Sequence, residues 1–435
     1  MRLVWICALS VLAALAAPLP AGAGATFVGP YDYPFVNPLV ATVVGTPPAN
    51  EAELPAIERV RNVRQLDLDP FPDRAPPPVF WYADKLRSGL FFLDRQPRPL
   101  AVVIGGTGAG FAATKSIVLA RIMLKAGYHV LTLANPTNPN FIVAASGTHI
   151  PARLTDDAED LYRVVERGIA EVKRHVPLTG EVVLTGYSLG AVHAAYLAKL
   201  DDERKRIGFK KTMMLNPPVS LYTSLGILDD LVDRHLKTDP ASLRAFLDRL
   251  FEQFADFYAT AEDVDLTADF LFRAYLELQP QDEELEQLIG IVFRLTANDL
   301  AFTSDVMTNA GYVVPKDARL TQTTSLTAFF TTGMGLSFNE FFTDVYYPFF
   351  RVREPRLNAQ QMVERESLYA IADWLRTNPN IAVITNEDDI ILGPGQVDFL
   401  AQTFGDRATI FPTGGHCGNM SQRDYVAKVV EFFKP

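Results

Sequence analysis

A chain of 435 residues, 48% hydrophobic and 21% charged, has ample material for a core and the composition of a globular protein. Its formal net charge of −11, without a run of Lys and Arg, argues against a nucleic-acid partner, because nothing in it would displace phosphate counterions. Of its two cysteines, Cys7 lies in the N-terminal apolar run and Cys417 near the C-terminus. No internal disulfide is expected in the mature chain, so the fold must stand on its core.

The N-terminus reads as an export signal. Arg2 precedes an apolar run at residues 3–17, followed by small residues in "PLPAGAGATF", with cleavage expected after Ala23 or Ala25. The run is short for a membrane span of about 20 residues, and Pro18 and Pro20 interrupt it. The expectation is a signal peptide at 1–25 and a soluble mature chain, periplasmic or secreted. Residues 26–78 are rich in proline and read as an extended arm with a single strand at 39–44.

From residue 79 strands and helices alternate. "VFWYAD" and "GLFFLD" are short β-type runs, and "LAVVIGG" is continuously apolar, as in a strand covered on both faces. The helix "ATKSIVLARIMLKAG", closed by Gly127, and the strand "YHVLTLAN" follow. Next comes an amphipathic helix, "DDAEDLYRVVERGIAEVKRHV", with acids at its start and bases at its end. The strand "EVVLTG", the helix "LGAVHAAYLAKL" and the strand "KTMMLNP" complete residues 79–221. This rhythm predicts an α/β fold with a mostly parallel sheet flanked by helices. Helical periodicity replaces it at 222–349, as in "LRAFLDRLFEQFADFYA" and "DEELEQLIGIVFRL", and the rhythm resumes over 350–435. A helical insertion interrupting one sheet domain is therefore expected.

Gly186-Tyr187-Ser188-Leu189-Gly190 matches G-x-S-x-G between a predicted strand and a small-residue helix. A serine on that sharp turn is raised above the sheet edge, and the next backbone N–H, of Leu189, faces a developing oxyanion. Ser188 is the candidate nucleophile. Among the six histidines, His129, His175, His193 and His235 fall in predicted elements or the insertion and read as structural. His149 reads as structural or as reaching a pocket mouth. His416, in "TGGHCGN" beyond the last strand, is the candidate base. "IAVITNEDD" ends a buried strand in Glu387, Asp388 and Asp389. Asp389 is preferred as the orienting acid, since the apolar residues after it fold it back toward the sheet, and Asp388 is the alternative. The glycine loop at 105–110 offers a second oxyanion donor, Thr107 N–H, with Gly106 as the alternative. It lacks both the G-x-G-x-x-G spacing with its acid and the G-K-[ST] ending, so a nucleotide loop is disfavoured. No cofactor and no metal are expected.

"GYSLG", "GGTGAG", "NEDD" and "GGHCG", in that order, make the chain resemble the α/β-hydrolase superfamily over residues 79–221 and 350–435. "DVYYPFF" and the GGHxG loop look more narrowly like the YheT-type hydrolases. The resemblance implies a cap at 222–349, between the fold's strands six and seven. It also implies ester cleavage by Ser188, His416 and Asp389, with the amides of Leu189 and Thr107 binding the oxyanion. Gly105-Gly106 stands where many members carry His-Gly, and Asn386 where many carry glycine, a turn position that asparagine tolerates. Cys417 reads as a small buried filler. The aromatic stretch "LTAFFTTGMGLSFNEFFTDVYYPFF" reads as core or as the wall of an apolar acyl pocket. The leading expectation is an exported esterase or lipase-like hydrolase of an apolar small-molecule substrate. The alternatives are a non-catalytic envelope binding protein on the same scaffold and an acyltransferase.

Overall fold

The structure is a computed structural model describing residues 24–56, 63–235 and 268–434. Nearly all of the expected export signal, with Cys7, lies outside these residues, as does "LRAFLDRLFEQFADFYA".

Nine strands form one sheet: β1 (Thr26–Phe27), β2 (Val63–Leu68), β3 (Leu86–Phe91), β4 (Arg98–Ile104), β5 (His129–Leu133), β6 (Leu178–Tyr187), β7 (Phe209–Leu215), β8 (Ile381–Asn386) and β9 (Ala408–Phe411). Their order is β1-β9-β8-β7-β6-β4-β5-β3-β2, and β3 alone runs against the others. The strands β4–β9 are runs of Val, Ile, Leu and Met because helices cover both faces. In β4, Leu100, Val102 and Ile104 point to one face, Ala101 and Val103 to the other, and all five are fully buried. This sheet, with the antiparallel strand β3 next to the edge strand β2 and helices on both sides, matches the expected α/β-hydrolase arrangement with an added edge strand, β1.

Six helices in the first two thirds of the chain matter for the site: α1 (Pro38–Val44), α2 (Thr114–Lys125), α3 (Pro139–Ala144), α4 (Leu154–Val172), α5 (Leu189–Arg204) and α6 (Leu221–Asp233). The helix α2 and the C-terminal helix Arg423–Phe433 cover one face of the sheet, while α4 and α5 cover the other. Between β7 and β8 every described element is helical, including α6, Ala268–Leu278 and the long helix Asp282–Thr308. Buried Arg294 on that long helix reaches Asp229 on α6 at 3.2 Å. A buried charge needs such a partner, and this pair ties α6 to the long helix.

Two local expectations are corrected. Residues 39–44 form a helix, not a strand. Asn37 Oδ1 accepts the Leu39 N–H at 2.9 Å, Pro38 occupies the first turn, and Gly45 at φ 82° ends it. These caps outweigh the strand preference of the valines. "VFWYAD" is likewise no strand, but a short 3₁₀ turn at Pro78–Phe80. Within the N-terminal segment, β1 and β2 are the two edges of the sheet, and Tyr31 O–H donates to Thr413 O at 2.7 Å.

Candidate active site

Ser188 sits between the end of β6 and the start of α5 with φ 53° and ψ −130°, a conformation that costs a non-glycine residue. The turn is possible because its flanking glycines touch backbone. A Cβ on Gly186 would stand 2.3 Å from Gly190 O, and one on Gly190 would stand 2.2 Å from Gly105 O. Ser188 N–H donates to Leu215 O of β7 at 2.9 Å, which ties the turn to the sheet.

Ser188 Oγ lies 2.8 Å from His416 Nε2. His416 follows β9, and its Nδ1 lies 3.0 and 3.1 Å from the two oxygens of Asp389, which follows β8. Nδ1 therefore carries the proton toward the carboxylate and Nε2 faces the serine. Asp389 is buried and also accepts from Asn216 Nδ2 at 3.0 Å and from Ile391 N–H at 3.2 Å. Burial disfavours the His416 imidazolium, but the charge of Asp389 outweighs it and holds the group above the usual histidine range. Asp388 points elsewhere. It accepts the Gly414 and Gly415 amides at 3.1 and 2.9 Å, and burial pushes its carboxyl up to about 6. Glu387 is exposed.

Several residues around this chain of hydrogen bonds escape the sequence reading. Asn216, at the C-terminal end of β7, is itself oriented by Tyr425 O–H at 3.0 Å. Asn386 is more than a tolerated turn residue. Its Nδ2 donates to Gly415 O at 2.7 Å and to Asn419 Oδ1 at 3.1 Å, and Asn419 Nδ2 donates back to Asn386 Oδ1 at 2.8 Å. Asparagines at the carboxyl ends of central strands are the signal that could have flagged both.

The glycine loop follows β4 and faces Ser188. Asn135 Nδ2 donates to Gly105 O at 2.7 Å, Gly108 N–H donates to Thr137 Oγ1 at 2.8 Å, and buried His193 stands 3.2 Å from Asn135 Nδ2. Among the described residues neither the Thr107 N–H nor the Leu189 N–H has a hydrogen-bond partner. Leu189 opens α5, where an N–H has no intrahelical acceptor. The hydroxyl of Tyr187 is near Ser116 Oγ, at 3.4 Å, and faces the Gly106 amide.

A cavity of about 340 Å³ opens on Ser188, His416, Thr107 and Leu189. Leu221, Leu225, Leu228, Ile289, Phe293 and Ile391 give it apolar walls, and Lys115 adds one charge. A smaller space of about 20 Å³ shares Thr107, Leu189, Leu221 and Leu225 and is closed by Phe338, Phe341 and Phe342. The aromatic stretch thus serves as both: Phe338, Phe341, Phe342, Tyr346 and Phe350 all belong to one buried core cluster, and the first three also border the small space. Cys417 is buried as expected of a filler, yet it lines the large cavity, with Sγ 3.9 Å from His416 Nε2. His129, His149, His175, His193 and His235 line neither space. His149 bonds to Ile142 O at 2.7 Å and burial lowers its pKa.

No protein-family model and no curated protein matches the chain, and the narrower YheT-type resemblance finds no support. Solved structures do match. A thermostable carboxylesterase cloned from a metagenomic library is 12% identical, with a TM-score of 0.41 over 91% of this chain and 94% of that one. A hyperthermophilic esterase from the archaeon Pyrobaculum calidifontis is 15% identical, with a TM-score of 0.39 over 91% and 87%. A thioesterase domain from the curacin biosynthetic pathway is 11% identical, with a TM-score of 0.37 over 86% and 100%. The likeness is one of fold. Among the described residues no helix is long and apolar enough to cross a membrane.

Proposed function

We propose that this protein is an exported serine hydrolase that cleaves the carboxylic ester, or a related acyl bond, of an apolar small-molecule substrate. The observation that carries the reading is the unbroken line from Ser188 Oγ to His416 Nε2, at 2.8 Å, and from His416 Nδ1 to Asp389, at 3.0 Å. In this reading His416 takes the Ser188 proton as Oγ attacks the carbonyl carbon, and Asp389 stabilises the imidazolium. The tetrahedral oxyanion accepts from the Leu189 and Thr107 amides, whose freedom from other partners suits that use. The C–O bond breaks as His416 returns the proton to the leaving alcohol. Water, activated by the same imidazole, then releases the acid from the acyl-enzyme.

The leucine, isoleucine and phenylalanine wall of the cavity supports an apolar acyl group. Export rests on the charge, apolar run and small residues at 1–25. The test is labelling with a fluorophosphonate probe followed by peptide mapping. Wild-type protein should label at Ser188 and hydrolyse nitrophenyl esters, and Ser188→Ala should do neither. A wild type that does not label, or an alanine variant that labels equally, would sink the reading. N-terminal sequencing of the protein recovered from the cell exterior or periplasm should begin at Gly24 or Thr26; an intact Met1 there would refute the signal.

A further inference from the structure

The helix α1 of the N-terminal segment touches the backbone of the histidine loop. His416 N–H donates to Thr42 Oγ1 at 2.9 Å, and Thr42 Oγ1 donates to Pro38 O at 2.6 Å. The hydroxyl proton is therefore committed to the helix, and a lone pair is left aimed at His416. The helix is capped by Asn37 and ended by Gly45. It also presses on the loop elsewhere. A Cβ on Gly415 would stand 2.3 Å from Pro38 O and 2.5 Å from Thr42 Oγ1, and one on Gly418 would stand 2.0 Å from Ala41 O. Thr46 Oγ1 donates to Gly418 O at 2.9 Å. On its far side α1 packs with Tyr33 and Phe35 against Leu285 of the long cap helix.

His416 needs such a brace. Its neighbours Gly415 and Cys417 both have left-handed backbones, φ 53° and φ 61°, so no strand ladder or helix holds the residue between them. Where the imidazole stands relative to Ser188 follows from where this peptide stands. We infer that Thr42 is a positioning residue for His416, so that the N-terminal segment is a working part of the catalytic apparatus. The inference rests on the reading of His416 as the general base.

The experiment compares Thr42→Val, which replaces the hydroxyl by a methyl at equal size, with Thr42→Ser, which keeps it, both in the full chain. With 4-nitrophenyl butyrate as substrate, Thr42→Val should lower kcat by about tenfold to a hundredfold while KM stays within about twofold, because a misplaced base slows chemistry more than binding. Thr42→Ser should recover most of that loss. Wild-type kcat in Thr42→Val, a loss confined to KM, or a serine variant no better than valine would each overturn the inference. Should Thr42→Val not fold, Thr42→Ala takes its place against the same serine rescue. A wild type that neither labels nor turns over ester sinks the hydrolase reading instead. Positioning is then read without substrate, from the downfield proton resonance of the His416–Asp389 hydrogen bond, identified by its loss in Asp389→Asn. A shift or broadening in Thr42→Val that Thr42→Ser reverses supports the inference; an unchanged resonance in both overturns it.

Discussion

The turn that carries Ser188 and the loop that carries His416 meet at 2.8 Å, yet they are built in opposite ways. The serine turn is local. Its shape comes from Gly186 and Gly190, which touch each other's backbone and that of Gly105. The histidine loop is assembled from distant chain. Asp388 and Asn386 hold it from the end of β8, Thr42 and Ala41 hold it from α1, and Lys115 of α2 donates to His416 O at 3.3 Å. A device shaped mainly by its own glycines is most sensitive to substitution within it, with Gly105 and Leu215 its points of contact with the rest of the fold. An assembled one is sensitive to substitutions hundreds of residues away.

The largest effect should come from the link between the two. Asp389→Asn should lower kcat by about 10⁴-fold with little change in KM, since the amide favours the wrong imidazole tautomer; steady-state kinetics would check it, and a loss under about tenfold would remove Asp389 from the line. On the serine side, Gly190→Ala places a methyl carbon 2.2 Å from Gly105 O, against backbone that cannot rotate away. It should cost about 3 kcal/mol in urea unfolding, at the upper end of overpacking, if the protein folds at all. On the histidine side, Asn419→Ala removes donors to Asn386 Oδ1 and the Tyr31 hydroxyl. A loss of about 1–3 kcal/mol is expected for such a buried polar pair. Its activity should fall while Ser188 keeps its backbone, so a fully active Asn419→Ala would break the contrast.

The pH dependence is the subtlest measure. In the proposed hydrolase the neutral form of His416 would be the base, and Asp389 holds its pKa above the usual histidine value of about 6.5. The ascending limb of kcat/KM against pH should therefore lie on the alkaline side of that value. In Asp389→Asn the residual activity should ascend at lower pH, because the carboxylate that most offsets burial is then gone. Stability moves the other way. A raised histidine pKa contributes stability that is complete below the unfolded value and is lost as pH rises through the folded one. Coincident limbs in wild type and Asp389→Asn would show that the carboxylate charge does not set the titration.

Much of the fold is legible in local pattern. "LAVVI" and "IAVI" are apolar at every position because both faces are covered, and such runs alternating with amphipathic helices specify a parallel sheet. The helix at Pro38–Val44 is misread when the valines are weighed above Asn37, Pro38 and Gly45, although those caps stand in the sequence. The edge strands β1 and β2 are harder to read. Thr26–Phe27 is exposed and very short, and β2 buries only two of its six residues, so neither carries a strong pattern.

The sequence by itself determined the sheet, the strained turn at Ser188 and the placing of Asp389 and His416 beyond strand ends. Each leaves most of its signal within one turn or one strand of itself. Only the tertiary structure decided which acid faces the imidazole, what Asn216, Asn386 and Asn419 hold, and that a threonine 374 residues upstream supports His416. The reason is physical. Backbone conformation and burial are set by near neighbours and leave a periodic trace. A hydrogen bond between distant segments depends on a direction in space and leaves none.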